Sequence, residues 1–299
     1  MKKFISALLL TLAFCSMIAL AQSGRPFPYP RVPSYIASDS AAAEWMALHF
    51  WDNYHFDKAG SDYSTEQNRR GFVAFIETLY TTNPALSIEA VAQMMERAAT
   101  SEDGYWYFLE MAEVVLYDPS SPMRNDLLWE PFLRHAIGPR SPLDAASKKR
   151  YETLLELVSR NQQGTIATDF AYTLANGTTG RLHSIRSPYL LIYFYNPGCS
   201  ECGRTKAQLD ATGLLESLHA RGVLKVLALH PDGELSEWRR LLSENPSWWI
   251  SAYDKGEQIH TRNLYDLKAI PTFYLLDSDK RVLMKDPVVE DLIYVLSTL

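Results

Sequence analysis

Cysteine, basic charge and long apolar runs are all scarce in this chain of 299 residues. Three cysteines are too few for a small domain held together by a framework of disulfide bonds. The 29 basic side chains are outnumbered by 35 acidic ones, and a chain without a basic stripe is a poor candidate for binding nucleic acid. Hydrophobic residues make up 47% and charged residues 21%, which excludes a disordered tail protein, a collagen-like repeat and a multi-span membrane protein.

The start of the chain has the pattern of a secretory signal peptide. Two lysines precede an apolar run that begins at Phe4 and continues weakly to Leu20, and Ala19 and Ala21 are small residues suited to cleavage. We therefore expect a cleavable signal peptide over residues 1–21 and a periplasmic mature chain, in a compartment where disulfide bonds persist. Two alternatives stay open: Cys15 as a lipoprotein cysteine, and an uncleaved membrane anchor, for which about 18 apolar residues are barely enough.

The next part of the chain is predicted to be a linker followed by a helical domain. Four prolines between Arg25 and Pro33 favour an extended, proline-rich linker over residues 22–39. From residue 40 to residue 161 the apolar residues recur at helical spacing, as in the Phe72, Phe75, Ile76 and Leu79 series. This pattern predicts an all-α domain of five or six helices.

After Gly164 the pattern changes to one of strands and helices, and we expect a second domain over residues 164–299. The continuous apolar run from Tyr189 to Tyr195 is typical of a strand that is buried on both faces. The other predicted elements are a hairpin that turns at Asn176-Gly177 and returns over 182–185, helices over 202–220 and 234–243, strands over 223–229, 249–253, 272–276 and 282–285, and a last helix over 289–299. This order predicts an α/β fold with a mixed sheet and helices on both faces.

The chemistry of this second domain lies in Cys199-Ser200-Glu201-Cys202, where the buried strand leads into a helix. Free backbone N–H groups and the helix dipole favour a thiolate at a helix N-terminus. Cys199 can attack a substrate disulfide, and Cys202 can then resolve the mixed disulfide. A static disulfide and a zinc site are the alternatives, although zinc takes four ligands and the seven histidines show no H-x3-H pair. We expect no metal and no dissociable cofactor, because the cysteine pair itself carries the electrons.

Two segments of this domain resemble a known family. The segment from Phe194 to Cys202 resembles the active-site segment of thioredoxin-like proteins, and the segment from Ala269 to Leu276 resembles the family's cis-proline strand. The hairpin before them resembles the bacterial envelope branch, which includes the reductases of cytochrome c maturation. The helical part, around 49–53 and 117–122, resembles an uncharacterised domain that some Gram-negative envelope proteins place before a thioredoxin module.

The resemblance implies a thioredoxin-like fold and a function as an exported thiol–disulfide oxidoreductase. It makes Cys199 the attacking thiol, Cys202 the resolving thiol and Pro271 the cis-proline beside the sulfurs, with the Ile270 backbone available to pair with an extended substrate. Partners would be disulfide-containing envelope proteins and a membrane thiol electron donor, with no role for nucleic acid. The alternative function is a binding module on a thioredoxin fold, in which the cysteines form a structural disulfide.

The sequence also departs from the family at the site. Gly198 stands where the family often has tryptophan, Tyr193 where thioredoxin has a buried carboxylate, and Thr205 where the envelope reductases often have glutamate. Glu201 is therefore the nearest acid, and its charge opposes thiolate formation at Cys199, with partial compensation by Arg204 and Lys206. A less stabilised thiolate makes a less oxidising cysteine pair. The charge of Glu201 therefore tunes the pair toward the function of a reductase or isomerase.

Overall fold

The computed structural model describes residues 27–56, 63–232 and 235–299. The predicted signal peptide, Cys15 and the first part of the predicted linker lie outside these residues. The chain forms two compact units that divide between Glu152 and Thr153. Among the described residues, no helix combines the length and the apolar character needed to cross a membrane.

In the described part of the chain, six helices occupy residues 39–159, which confirms the predicted all-α region. They are α1 (Asp39–His49), α2 (Glu66–Tyr80), α3 (Pro84–Ala98), α4 (Glu102–Leu116), α5 (Asp126–Ile137) and α6 (Ala145–Ser159). Each of the six begins after a residue whose side chain accepts a hydrogen bond from a free N–H of the first turn: Ser38, Thr65, Asn83, Ser101, Asn125 and Asp144.

The core of the first unit is aromatic. The predicted apolar face of α2 is fully buried, from Phe72 to Leu79. Phe27, from the predicted linker, is also buried, and its ring lies 5.3 Å from Trp51 and 5.4 Å from Phe50. The described end of the linker therefore packs into this aromatic core.

The last turn of α6 belongs to the second unit. The Lys285 ammonium donates hydrogen bonds to the carbonyls of Val158 and Arg160, at 2.8 and 3.0 Å. Asn161 then bonds to the carbonyl of Leu264 at 2.9 Å. Because of these contacts, the units divide before the boundary expected between residues 161 and 164.

The second unit is built on one sheet of seven strands in the order β2-β1-β5-β4-β3-β6-β7. Its strands are β1 (Ala171–Leu174), β2 (Thr179–Arg181), β3 (Tyr189–Phe194), β4 (Leu224–His230), β5 (Ile250–Tyr253), β6 (Thr272–Leu276) and β7 (Val282–Lys285). The pairs β3–β4 and β4–β5 are parallel, and the other pairs are antiparallel. The mixed, thioredoxin-like sheet is confirmed.

Two hydrophobic cores cover the two faces of this sheet, as the doubly buried β3 run predicts. Alternate residues of β3 enter opposite cores, Ile192 one and Tyr193 the other. The Tyr193 core receives side chains from the helices α7 (Ser200–Asp210), α8 (Leu214–Ala220), α9 (Ser236–Leu241) and α11 (Val289–Ser297), and the opposite core receives Ile259 of α10 (Gln258–Thr261).

Two sequence predictions in this unit were wrong in detail, and one helix was missed. The hairpin returns over β2, because Leu182 turns into the core and begins a 3-10 turn. The helix predicted over 202–220 is two helices, α7 and α8, which are interrupted where Gly213 adopts a left-handed φ of 66°. The short helix α10 was not predicted.

Candidate active site

Cys199 occupies the N-cap position of α7, directly after the turn that leaves β3. Its sulfur accepts a hydrogen bond from the backbone N–H of Cys202 at 3.3 Å. Its own N–H donates to the carbonyl of Asn196 at 3.2 Å, which fixes the turn. The first sulfur is thus placed among the free N–H groups of a helix N-terminus, where negative charge is favoured.

The two cysteines are free thiols and differ in exposure. Cys199 is half-buried, whereas Cys202 is buried within the Tyr193 core. Burial raises the pKa of Cys202 to about 12, and the hydrogen bond with Cys199 adds to the shift. Cys202 therefore remains a thiol at neutral pH, and Cys199 is the sulfur of the pair that a visiting disulfide can reach.

Tyr193 lies beneath the cysteine pair, at the position where thioredoxin has a carboxylate. Its ring is stacked between Tyr195 and Phe273, with centroids 5.1 and 5.0 Å away. Its hydroxyl donates a hydrogen bond to the carbonyl of Cys202 at 2.9 Å. Burial raises the pKa of Tyr193, so the group remains a phenol and acts as a donor rather than as a base.

The predicted cis-proline strand begins at the edge of the sheet where β3 ends and the cysteine loop follows. The Ile270–Pro271 peptide bond is cis, and Thr272, the next residue, pairs with Phe194 at the end of β3. Ile270 packs against both cores, including the one that contains the cysteines. The proposed roles of Ile270 and Pro271 in substrate binding remain predictions.

The charges around Glu201 differ partly from expectation. Arg204 donates two hydrogen bonds to the Glu201 carboxylate and holds its pKa below the usual range, so the acid stays ionised. Lys206, expected to offset the same charge, instead pairs with Asp210 at 2.5 Å and lies 5.3 Å from the centroid of the Trp249 ring. Compensation at Glu201 therefore comes from Arg204.

Sequence reasoning missed two residues that border the cysteine loop. His230, at the end of β4, is buried, and its Nδ1 lies 3.2 Å from Oδ1 of Asn196. The parallel pairing of β3 and β4 could have indicated it, because the carboxyl ends of parallel strands meet at one edge. Glu237 of α9 lies against Gly198, such that a β-carbon on that glycine would be 2.8 Å from Oε1. Nothing in the sequence places α9 over this loop.

The described part of the chain holds no group of three or more His, Cys, Asp or Glu side chains arranged to bind a metal ion.

The mixed sheet, with a cysteine pair where a central strand leads into a helix, is that of a thioredoxin-like protein. The family model described as "Thioredoxin-like" matches residues 188–282, and the "Domain of unknown function (DUF5106)" matches residues 10–161.

The chain belongs to the thioredoxin-like proteins that carry this helical domain at their N-terminus. A thioredoxin-like protein from Bacteroides caccae is 35% identical in sequence, and its crystal structure superposes with a TM-score of 0.85. That match covers 92% of this chain and 99% of the other. No curated protein matches.

Shorter solved structures match a little less than half of this chain. The C-terminal domain of an uncharacterized protein from Bacteroides fragilis is 40% identical, with 46% of this chain and 98% of that one covered and a TM-score of 0.45. The thioredoxin domain of a thiol-disulfide oxidoreductase from Bacteroides vulgatus is 20% identical, with 46% and 96% covered and a TM-score of 0.40.

Proposed function

We propose that this protein is an exported thiol–disulfide oxidoreductase that reduces or isomerises disulfide bonds in other proteins of the cell envelope. The observation that carries the proposal is the half-buried sulfur of Cys199 at the N-cap of α7, beside the buried Cys202. Reactive cysteines occupy such partly exposed positions at helix N-termini, whereas inert structural cysteines are buried.

The reaction takes two steps that balance in electrons and protons. The Cys199 thiolate attacks one sulfur of the substrate disulfide, which forms a mixed disulfide and releases the first substrate thiolate. The Cys202 sulfur then attacks Cys199, which forms the intramolecular disulfide and releases the second substrate thiolate. The proton of Cys202 leaves with that second substrate thiolate. Two electrons have passed from the cysteine pair to the substrate.

The charges at the site favour the reducing direction. Glu201 stays ionised two residues after Cys199 and opposes the thiolate on which a strongly oxidising pair depends. The oxidised pair must then be reduced again, and an envelope location requires an external donor, for which a membrane thiol carrier is the proposed source. The predicted signal peptide supports a periplasmic location.

The test is to trap the mixed disulfide with the Cys202→Ser variant. Without the resolving sulfur, Cys199 should stay linked to envelope proteins and to a model disulfide substrate through mixed disulfides, which a reductant cleaves. The matched control is Cys199→Ser, which retains the buried sulfur and should form no adduct.

Two results would overturn the proposal. If Cys202→Ser reacts with no disulfide although its Cys199 thiol can be titrated, the pair is a static bridge and the binding-module alternative is favoured. If the reduction potential of the wild-type pair is as high as that of a dedicated disulfide-forming enzyme, the reducing direction is wrong.

A further inference from the structure

The carboxylate of Glu237, from α9, lies against the turn that precedes Cys199. Gly198 adopts a φ of 73°, in the left-handed region that favours glycine, and it is exposed. The Glu237 carboxylate fills the space where a side chain at this position would begin, with Oε1 at 2.8 Å and Oε2 at 3.3 Å from the β-carbon site. A carboxylate from α9 thus borders the backbone directly before Cys199.

This carboxylate is close enough to act on a substrate at Cys199. Oε1 of Glu237 lies 2.8 Å from the β-carbon position of Gly198, and the Cα atoms of Gly198 and Cys199 are about 3.8 Å apart. This carboxylate oxygen therefore lies within about 8 Å of the Cys199 Cα. Charges at this separation are not fully screened at physiological ionic strength, where the Debye length is about 8 Å. Any disulfide that approaches Cys199 from the Gly198 side meets this charge.

Glu237 is less compensated than the other acid near the loop. Arg204 bonds to both carboxylate oxygens of Glu201. Arg240 bonds only to Oε1 of Glu237, at 2.9 Å, and among the described residues no hydrogen bond reaches Oε2. Glu237 is half exposed, so this oxygen is open to a partner from outside.

We propose that Glu237 makes the site selective for disulfides flanked by positively charged groups. This inference rests on the proposed function and gives it a substrate class: cationic segments around a disulfide. A positive group on the substrate pairs with the free side of the carboxylate and holds the disulfide at Cys199, whereas a negative group is repelled. Arg240 limits the preference, because it neutralises part of the same charge.

The test uses three small disulfides of similar size and different charge: cystamine with two ammonium groups, bis(2-hydroxyethyl) disulfide with none, and dithiodiglycolate with two carboxylates. Second-order rates of their reduction by the reduced full-length protein give a cation-to-anion ratio. Glu237→Gln should lower this ratio about three- to fivefold, as expected for one exposed charge. Arg240→Gln should raise it, and 1 M salt should flatten it in the wild type.

The matched control is Glu216→Gln, which removes an exposed glutamate on α8, beyond the far end of α7. It should leave the ratio unchanged. If Glu237→Gln and Arg240→Gln do not move the ratio in opposite directions while the neutral disulfide is still reduced, the inference alone fails. If the wild type does not reduce the neutral disulfide, the proposed function fails and the inference fails with it.

Discussion

At the scale of single residues, the site separates a reachable sulfur from a protected one. Cys199 is half-buried and receives an N–H hydrogen bond, whereas Cys202 is enclosed by apolar side chains and by the phenol of Tyr193. This asymmetry supports the proposed order of attack, Cys199 first and Cys202 second. It also means that the second step depends on how readily Cys202 loses its proton.

The reactivity of Cys202 should therefore depend steeply on pH. Burial raises the pKa of Cys202 to about 12, whereas a free cysteine titrates near 8.5. Burial persists in Cys199→Ser although the contribution of Cys199 to the shift is lost, so alkylation of Cys202 by iodoacetamide at pH 8 should be about tenfold or more slower than for a free thiol, since only the thiolate reacts. The rate should still be rising at pH 10, where that of a free thiol has levelled off.

The same alkylation measurement can test the contribution of the Tyr193 hydroxyl to the reactivity of Cys202. Its hydroxyl donates to the Cys202 carbonyl and lowers the pKa of the Cys202 thiol, since the same O–H can turn to the sulfur when Cys202 ionises, so Tyr193→Phe in the Cys199→Ser background should slow alkylation further, by about fivefold for one lost hydrogen bond. Tyr195→Phe is the matched control, because it removes a hydroxyl from the same ring stack that bonds to Asn245 instead. An equal effect of both variants would assign the change to packing rather than to the Tyr193 contact.

What the sequence reveals at this scale is what lies close together along the chain. Cys199 and Cys202 are recognisable from their spacing and their place at a strand–helix junction. Glu237 has no such local signal, and His230 could be found only through the parallel pairing of β3 and β4, because each reaches the loop from an element far away in sequence. The pairing of Lys206 with Asp210 follows a helical i,i+4 rule, which competes with the longer-range compensation expected for Glu201.

At the scale of elements, the first unit depends on a close approach between the N-terminal segment and α2. A β-carbon on Gly71 would lie 2.1 Å from Cδ2 of Phe27, whose ring is held by Phe50, Trp51 and Tyr54. The absence of a side chain at position 71 is therefore a packing requirement, although glycine is a poor helix former.

Gly71→Ala should accordingly destabilise the protein by about 1–3 kcal/mol, because the added methyl group overpacks this contact. The measurement is the free energy of unfolding in denaturant. Gly203→Ala is the control: it lies inside α7 with no atom within 4 Å of the added β-carbon, and it should be neutral or stabilising by up to about 1 kcal/mol. An unaffected Gly71→Ala protein would mean that Phe27 does not pack on α2 in solution.

Element boundaries followed from sequence where a local signal was strong. The strands β6 and β7 occupy their predicted ranges, because apolar runs flank a turn rich in aspartate. The hairpin was misplaced because Leu182 continues the apolar pattern of a strand while its burial is tertiary. The break at Gly213 has a local cause, a left-handed glycine, but one glycine within an amphipathic pattern is weak evidence for a new helix.

At the scale of the whole molecule, the proposed chemistry limits how many electrons one chain can deliver. After residue 15 the sequence has two cysteines, Cys199 and Cys202, and no other cysteine to store electrons. A mature protein that starts near Gln22 should thus hold two thiols when reduced. Retention of the N-terminal segment, as an anchor or a lipoprotein, would leave Cys15 in the protein.

Single-turnover stoichiometry tests this limit. The reduced protein, mixed with excess disulfide substrate and no reductant, should open one substrate disulfide per chain, lose two titratable thiols and then stop. Cys202→Ser should lose one thiol and hold half of the substrate as a mixed disulfide. Thiol counts by labelling and intact masses distinguish these states. Turnover beyond one disulfide per chain would require another electron source, and a third reactive thiol would show that the N-terminal segment had not been removed.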